Sequence, residues 1–332
     1  MITEPGTIED LVADAATAGY QITKRLIRDW TEQGLLDRPR KRPAGKGRGS
    51  APALYPASQR NLLLTLLYHR PGKNIASLAR IPVCIWMYWG EEYVPVRQAQ
   101  RALRRYLGDP QAGPRYARDA IRASKERART VAREVLSQMD NPQATPQARR
   151  ELLDTLTQAA YTGRPDFGQL EQAVSDVFDA GTTQIRRAIG HPTAPVTTEA
   201  LITGVRARMM AIEAVTSRQV SDEALEQARD AHLFEYASYL GRHPALGAAA
   251  PRGIPQLYAP ITADDTVSNC CKHLLLALGM QLMFPDQAEQ IRRARASMRR
   301  PGPAAFGLTD AAIRASRARD YRRTPAGGIS PA

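Results

Sequence analysis

The sequence predicts a mainly α-helical protein, with a small N-terminal helical domain followed by a larger all-α domain. Apolar residues recur at helical spacing along most of the chain, and the alternating pattern of strands is almost absent. A length of 332 residues with 43% hydrophobic content suits two or three folded domains. We place a domain in residues 1–70, a helical extension and candidate dimerisation region in 71–140, the all-α domain in 141–300 and a loosely ordered basic tail in 301–332.

Two short helices are predicted near the start of the chain. The first runs from about Thr7 to Ala18, and Asp10, three residues after Thr7, completes a capping box. The second runs from about Ile22 to Gln33, and Gly34 occupies the position that commonly follows a helix C-terminus.

A basic segment follows the second helix. Residues 38–48 contain six basic side chains and no acidic one, interleaved with proline and glycine, which predicts a mobile surface loop. The loop ends at Leu54-Tyr55, and a third helix is predicted from Pro56 to Tyr68, since proline is favoured in the first turn of a helix.

The remainder of the chain is predicted to be helical. An apolar segment at 75–89 is expected to dock on the first three helices, and a loop is expected at 243–261. Further helices are predicted at 97–107, 116–139 (long and basic), 147–161, 167–189, 198–220, 221–241 and 267–283, with a short one starting at Thr309 in the tail.

The segment from Arg25 to Leu36 resembles the recognition helix of MerR-type winged helix-turn-helix proteins. Their pattern is Arg-x-Leu-Arg-x-aromatic, then three residues and Gly-Leu. Arg25 and Arg28 stand at the arginine positions, Ile27 at the aliphatic one and Trp30 at the aromatic one, followed by Gly34-Leu35. Leu54-Tyr55 is similar to the Leu-Tyr that closes the wing in this family, although the segment between Leu36 and Tyr55 is longer and more basic than usual.

The resemblance implies a winged helix-turn-helix domain in residues 1–70 and sequence-specific binding to double-stranded DNA. Family members act as transcriptional regulators, usually as homodimers on near-palindromic sites, and the same is expected here. The residue pattern agrees, because Arg25 and Arg28 are one turn apart and project together, while Leu26 and Trp30 are expected to face a small core. Such a helix can lie in the major groove.

The candidate DNA-binding residues come from the second helix, the basic loop and the end of the wing. They are Lys24, Arg25, Arg28, Arg38, Arg40, Lys41, Arg42, Lys46, Arg48 and Tyr55. The cations of the loop are expected to contact phosphate, because flexible cations displace condensed counterions without fixed geometry. The other interpretation of the loop is a solvated run of charge.

The net charge of +13 favours an anionic partner, and nucleic acid and a membrane surface both qualify. Only six of the 46 basic residues are lysine, so part of the positive net charge reflects an arginine-rich composition. Residues 97–133, with eleven basic and three acidic side chains, either extend a DNA footprint or form the solvated face of a dimerising helix. The arginines at 292–300 either grip nucleic acid or keep the terminus soluble.

No apolar run approaches the length of a membrane span, and no secretory signal is evident, so we expect a cytoplasmic, nucleoid-associated protein. Cys84, Cys270 and Cys271 are expected to be reduced, because three cysteines cannot build a disulfide framework. The run Cys270 to His273 is assigned to core packing, since adjacent helical positions cannot converge on one tetrahedral metal ion. The aromatic residues Trp86, Tyr88 and Trp89 are assigned to a core in preference to an effector pocket.

No phosphate-binding loop, nucleophile elbow or His-Glu-x-x-His motif is found, so we expect neither an enzyme nor a bound cofactor or metal. A transcriptional regulator is the preferred function, with a small-molecule or protein effector left open. The alternatives are an architectural or recombination and plasmid-maintenance accessory protein, similar to an excisionase, and a helical scaffold for protein interactions.

Overall fold

The computed structural model describes residues 2–43, 50–108, 129, 133, 145–162, 166–178, 198–248 and 263–308. Within these residues the protein is mainly helical, with one two-stranded antiparallel sheet, which confirms the mainly α class. The helices are α1 (Ile8–Thr17), α2 (Lys24–Glu32), α3 (Ala57–His69), α4 (Ile75–Tyr88), α5 (Val96–Leu107), α6 (Pro146–Thr162), α7 (Phe167–Phe178), α8 (Thr198–Thr216), α9 (Asp222–Ala248), α10 (Ala263–Met283), α11 (Pro285–Arg295) and a 3₁₀ turn (Pro303–Phe306).

The first two helices begin at capping residues. Thr7 Oγ1 accepts the backbone N–H of Asp10 at 3.3 Å, and Asp10 Oδ2 accepts that of Thr7 at 2.7 Å, so the predicted capping box is present. Helix α2 begins at Lys24, two residues later than predicted, because Thr23 caps it by accepting the N–H of Leu26 at 3.3 Å.

Part of the predicted mobile loop is a strand. Residues Arg40–Pro43 form β1, which pairs antiparallel with β2 (Ser50–Leu54). The register shifts between the pairs Arg40–Leu54 and Arg42–Ala51, so β2 accommodates one extra residue at Pro52-Ala53, where proline has no N–H to donate. Lys46 and Arg48 lie outside the described residues.

The described residues fall into two compact units. The first contains residues 2–102 together with 263–270 and 301–308, and the second contains the described residues from 103 to 248 together with 271–300. The unit boundaries therefore differ from the predicted domain limits at 70 and 140, because α4 and most of α5 belong to the first unit. Its core includes Leu63, Leu66, Trp86 and Met87.

The start of the predicted tail is ordered against the first unit. Phe306 is buried beside Tyr88, with ring centroids 4.9 Å apart, so the expectation of a loosely held tail is wrong for residues 301–308. The helix predicted at Thr309 lies outside the described residues, as does the long basic helix of 116–139 apart from Arg129 and Arg133.

The helices after residue 221 depart from the sequence prediction at three places. Helix α9 continues to Ala248, so the loop predicted from residue 243 is helical at its start, and α10 begins four residues earlier than predicted. Helix α11 was not predicted. Helices α8 and α10 cross closely at Gly279, where a Cβ atom would overlap the backbone of Ala207.

The three cysteines are buried and reduced, as the sequence predicts. Trp86 and Tyr88 are buried in the first unit, which agrees with a core assignment. Among the helices in the described part of the chain, none is both long and apolar enough to cross a bilayer.

Candidate nucleic-acid interface

Helix α2 has one buried and one exposed face. Ile27, Trp30 and Thr31 are buried at the spacing i, i+3, i+4, which defines the inner stripe of a helix. Arg25, with its side chain 85% exposed, and Arg28 lie on the outer side. The buried stripe is shifted by one residue from the prediction, because Ile27 is buried and Leu26 is only half-buried.

Tyr55 helps to fix this orientation and must be removed from the candidate DNA-binding residues. Its side chain is only 3% exposed, and its hydroxyl lies 3.2 Å from Thr31 Oγ1, which donates to the Ile27 carbonyl at 2.8 Å. The backbone of Tyr55 also pairs with Gly6, with hydrogen bonds of 2.9 and 2.8 Å. Tyr55 therefore anchors the end of β2 to α2 and the N-terminal segment, and its side chain cannot reach DNA.

The chain leaves α2 through a turn that requires glycine. Gly34 has φ +77°, and a Cβ atom there would lie 2.6 Å from Arg101 Cβ and 2.9 Å from the backbone nitrogen of Ala102. Both the left-handed conformation and the close approach of α5 exclude a side chain. The next residues, Leu35 and Leu36, are buried, so the turn sends the chain directly into the core before β1.

A buried pair of glutamines holds the segment between α2 and β1. Gln59 Oε1 accepts the N–H of Asp37 at 2.7 Å, and Gln59 Nε2 donates to the carbonyl of Tyr93 at 3.1 Å and to Gln98 Oε1 at 2.9 Å. Gln98 Nε2 in turn donates to the carbonyl of Leu35 at 2.9 Å. We call Gln59 and Gln98 the glutamine pair. It fixes the direction in which the hairpin leaves α2.

Two ion pairs hold α1 and leave Lys24 partly neutralised. Arg60 contacts Asp14 through two hydrogen bonds of 2.7 and 2.8 Å, and this contact raises the pKa of Arg60. Lys24 Nζ lies 2.6 Å from Glu9 Oε1, and the hydrogen bond from Lys24 lowers the pKa of Glu9. Lys24 therefore has a carboxylate partner, unlike most of the other candidate cations.

The candidate cations on α2 and β1 are exposed and weakly engaged. Arg25 lies 4.0 Å from Asp29, and Arg42 Nε donates to the Pro52 carbonyl at 3.3 Å. The side chains of four others make no hydrogen bond or ion pair with any described residue: Arg28, Arg38, Arg40 and Lys41. The nearby acid Asp37 is paired with Arg101 at 2.9 Å. The surface formed by α2 and β1 therefore carries exposed cations that are available to bind an anionic partner.

The arginines near residue 300 are engaged within the chain. Glu289 accepts hydrogen bonds from Arg292 and Arg293, which lower the pKa of Glu289 to about 2. Arg295 pairs with Glu235 at 3.5 Å and Arg300 with Asp230 at 2.8 Å. These pairs favour a structural role for this cluster. Of the basic region 97–133, residues 109–128 lie outside the described part, and Arg101 is bound to Asp37.

The sequence reasoning missed the glutamine pair. The available signal was a polar residue within each of two helical segments, Gln59 ahead of a leucine-rich run and Gln98 beside the apolar Ala99 and Val96. Such residues gain significance only when their burial is known, because most glutamine side chains lie on solvated surfaces. Comparison of the chain with protein-family models, with curated proteins and with solved structures gave no match in any of the three.

Proposed function

We propose that residues 1–70, within the first unit, form a winged helix-turn-helix module that binds double-stranded DNA sequence-specifically and regulates transcription. The observation that carries this proposal is the division of α2, with Ile27, Trp30 and Thr31 buried and Arg25 and Arg28 exposed. In this proposal α2 lies in the major groove and the β1–β2 hairpin is the wing. The protein acts as a homodimer on a near-palindromic site.

The chemistry of the two elements differs. An arginine on α2 can donate two hydrogen bonds to O6 and N7 of a guanine, which distinguishes that base from the others. Arg38 precedes β1, and Arg40, Lys41 and Arg42 lie on it. All four side chains are exposed, and flexible cations can neutralise phosphates without a fixed geometry, so contact with phosphate is favoured. Specificity is therefore expected from α2, and salt-dependent affinity from the hairpin.

The test is selection of bound duplexes from a random library, followed by anisotropy titrations of the selected site. Arg28→Ala should weaken binding to that site by about 1 to 3 kcal/mol, with the loss concentrated at one base position. Arg70→Ala is the matched control, because it removes one exposed arginine at the end of α3, outside the proposed surface. Failure to select any sequence, or an equal loss in both variants, would refute sequence reading by α2.

The salt dependence of affinity tests the hairpin separately. Replacing Arg40, Lys41 and Arg42 together by alanine should flatten the plot of log affinity against log salt concentration, by up to about 0.9 for each phosphate that the hairpin no longer neutralises. Affinity for selected and random duplexes should fall by similar factors. An unchanged slope would show that the hairpin does not touch phosphate.

These titrations test DNA binding but do not distinguish between the biological roles of a DNA-binding protein. The genomic location of the bound sites therefore has to be measured separately. Enrichment at promoters is expected for a transcriptional regulator. Enrichment at a recombination site or a replication origin would instead indicate an accessory role, and no enrichment would favour a helical interaction scaffold.

A further inference from the structure

The second unit contains a large cavity bounded by α8, α9, α10 and α11 and by the residues that follow α11. Its volume is about 1210 Å³, whereas small-molecule sites in proteins usually measure about 300 to 1,000 Å³. Helix α9 supplies one continuous face to the cavity, from Glu223 to Tyr239. The cavity is therefore large enough for a molecule with several rings.

One wall of the cavity is built from aromatic rings. On α9, the rings of His232 and Tyr236 lie 5.2 Å apart at 22°, and those of Tyr236 and Tyr239 lie 6.4 Å apart at 13°. His273 from α10 lies 5.0 Å from His232 and 5.1 Å from Tyr236. Tyr239, at the outer end, remains 38% exposed. Because Tyr236 already stacks with both His232 and Tyr239, Tyr239 at the outer end is the ring on which a further flat ring can stack.

The charges around the cavity largely cancel one another. Arg295 pairs with Glu235, and Arg300 pairs with Asp230. In all, four carboxylates and three arginines line the cavity, which leaves one negative charge in excess: Glu223, Glu226, Asp230 and Glu235 against Arg292, Arg295 and Arg300. Burial, together with the neighbouring His273, lowers the pKa of His232 to about 3, so this ring is neutral at pH 7. The lining of the cavity therefore carries little net charge.

Helix α11 forms one side of the cavity without being buried itself. None of its residues is fully buried. Arg295 links α11 to α9, because its guanidinium donates to the Ala231 carbonyl at 3.5 Å and pairs with Glu235. The guanidinium also lies 5.7 Å from the centre of the Phe234 ring. Ion pairs near the surface contribute little to stability, so these contacts hold α11 only weakly. The apolar lining on this side includes Met280 and Met298, whose unbranched side chains adapt to different ligand shapes.

We propose that this cavity binds an uncharged aromatic small molecule of several rings, which stacks on the outer end of the ring wall formed by His232, Tyr236, Tyr239 and His273 and contacts α11. The proposal does not depend on DNA binding, because it concerns side chains of the second unit alone. It assigns to the helical C-terminal region a ligand-binding role.

The test is a fluorescence titration of the full chain with N-phenyl-1-naphthylamine, an uncharged three-ring probe whose emission rises in apolar surroundings. Saturable binding of one probe per chain is expected. Ala288 lines the cavity from α11, so Ala288→Trp should fill the space and weaken binding by at least about tenfold, which corresponds to 1.4 kcal/mol. Gln290→Trp is the matched control on the exposed side of α11, and its affinity should equal that of the unmodified chain.

Charged probes of similar size test the ligand class. The anion 1-anilinonaphthalene-8-sulfonate, titrated directly, and the cation tetraphenylphosphonium, added as a competitor, should each bind at least about tenfold more weakly than the neutral probe, again a difference of 1.4 kcal/mol. Tighter binding of either charged probe would overturn the assigned class. Absence of saturable binding, or equal affinity of the Ala288→Trp and Gln290→Trp variants when both show the native circular dichroism spectrum, would overturn the site.

Discussion

Replacing Gln59 by leucine should destabilise the first unit more than any exposed glutamine substitution. The change keeps a similar side-chain volume but removes the amide that accepts from Asp37 and donates to Tyr93 and Gln98. Each of these three groups is then left without its hydrogen-bond partner. Gln98 is 0% exposed, so its carbonyl oxygen cannot turn to water instead.

The size of the effect follows from these three hydrogen bonds. A buried acceptor left unsatisfied costs about 1 to 3 kcal/mol, and each of the other two hydrogen bonds contributes about 0.5 to 1.5 kcal/mol. We therefore expect the free energy of unfolding to fall by about 2 to 6 kcal/mol in Gln59→Leu. The double variant Gln59→Leu/Gln98→Leu should lose less than the sum of the single variants, because it removes the orphaned oxygen as well.

Urea denaturation, monitored by tryptophan fluorescence, measures the free energy of unfolding of the first unit. All three tryptophans of the chain, Trp30, Trp86 and Trp89, belong to the first unit. The exposed Gln21→Leu is the control and should change stability by no more than about 0.5 kcal/mol. A loss below about 1 kcal/mol in Gln59→Leu, or strict additivity in the double variant, would refute the interpretation of the glutamine pair as a buried network.

The remaining predictions concern both units. Arg218→Gly should stabilise the chain by about 0.5 to 1 kcal/mol, because Arg218 adopts φ 62° between α8 and α9, whereas Arg206→Gly within α8 should destabilise it in the same thermal melts. The pKa of His232 is depressed to about 3, so the unfolded chain binds a proton that the folded chain excludes as the pH falls below 6.5. His232→Phe should therefore show a smaller drop in Tm between pH 7 and pH 4 than the unmodified chain, and an equal drop would contradict this assignment. Trp30→Ala should cost about 3 to 5 kcal/mol in the tryptophan-monitored unfolding experiment, and an unchanged transition would mean that the buried face of α2 is misassigned.

The sequence alone predicts most of the described helices and, to within one residue, the two faces of α2. The capping box at Thr7 and Asp10 is a local arrangement, since its hydrogen bonds join residues three apart. Gly34 was likewise expected at the end of α2, where its positive φ is now found. The apolar spacing along α2 predicts that Leu26 and Trp30 face the core. Trp30 is buried, but Ile27 and not Leu26 is its buried neighbour, because a short apolar stripe leaves the centre of the buried face uncertain.

Only the tertiary structure decided which cations remain available. Lys24 and Arg28 are both candidate cations in the sequence. In the structure α1 brings Glu9 to Lys24, whereas Arg28 pairs with no described residue. The sequence makes Tyr55 a candidate for a DNA contact, but in the structure its hydroxyl contacts Thr31 within the core. The reason is that pairing depends on side chains 15 or more positions apart, which local spacing does not encode.

The tertiary structure also decided how the segments group together. Residues 301–308 pack with the first unit through Phe306 and Tyr88, far apart in sequence. The cavity of the second unit forms because α9, α10 and α11 bring rings and ion pairs to one place, although each helix is ordinary by itself. Helical periodicity gives the apolar face of each helix, but the partner of that face depends on the loops and the packing of the whole chain.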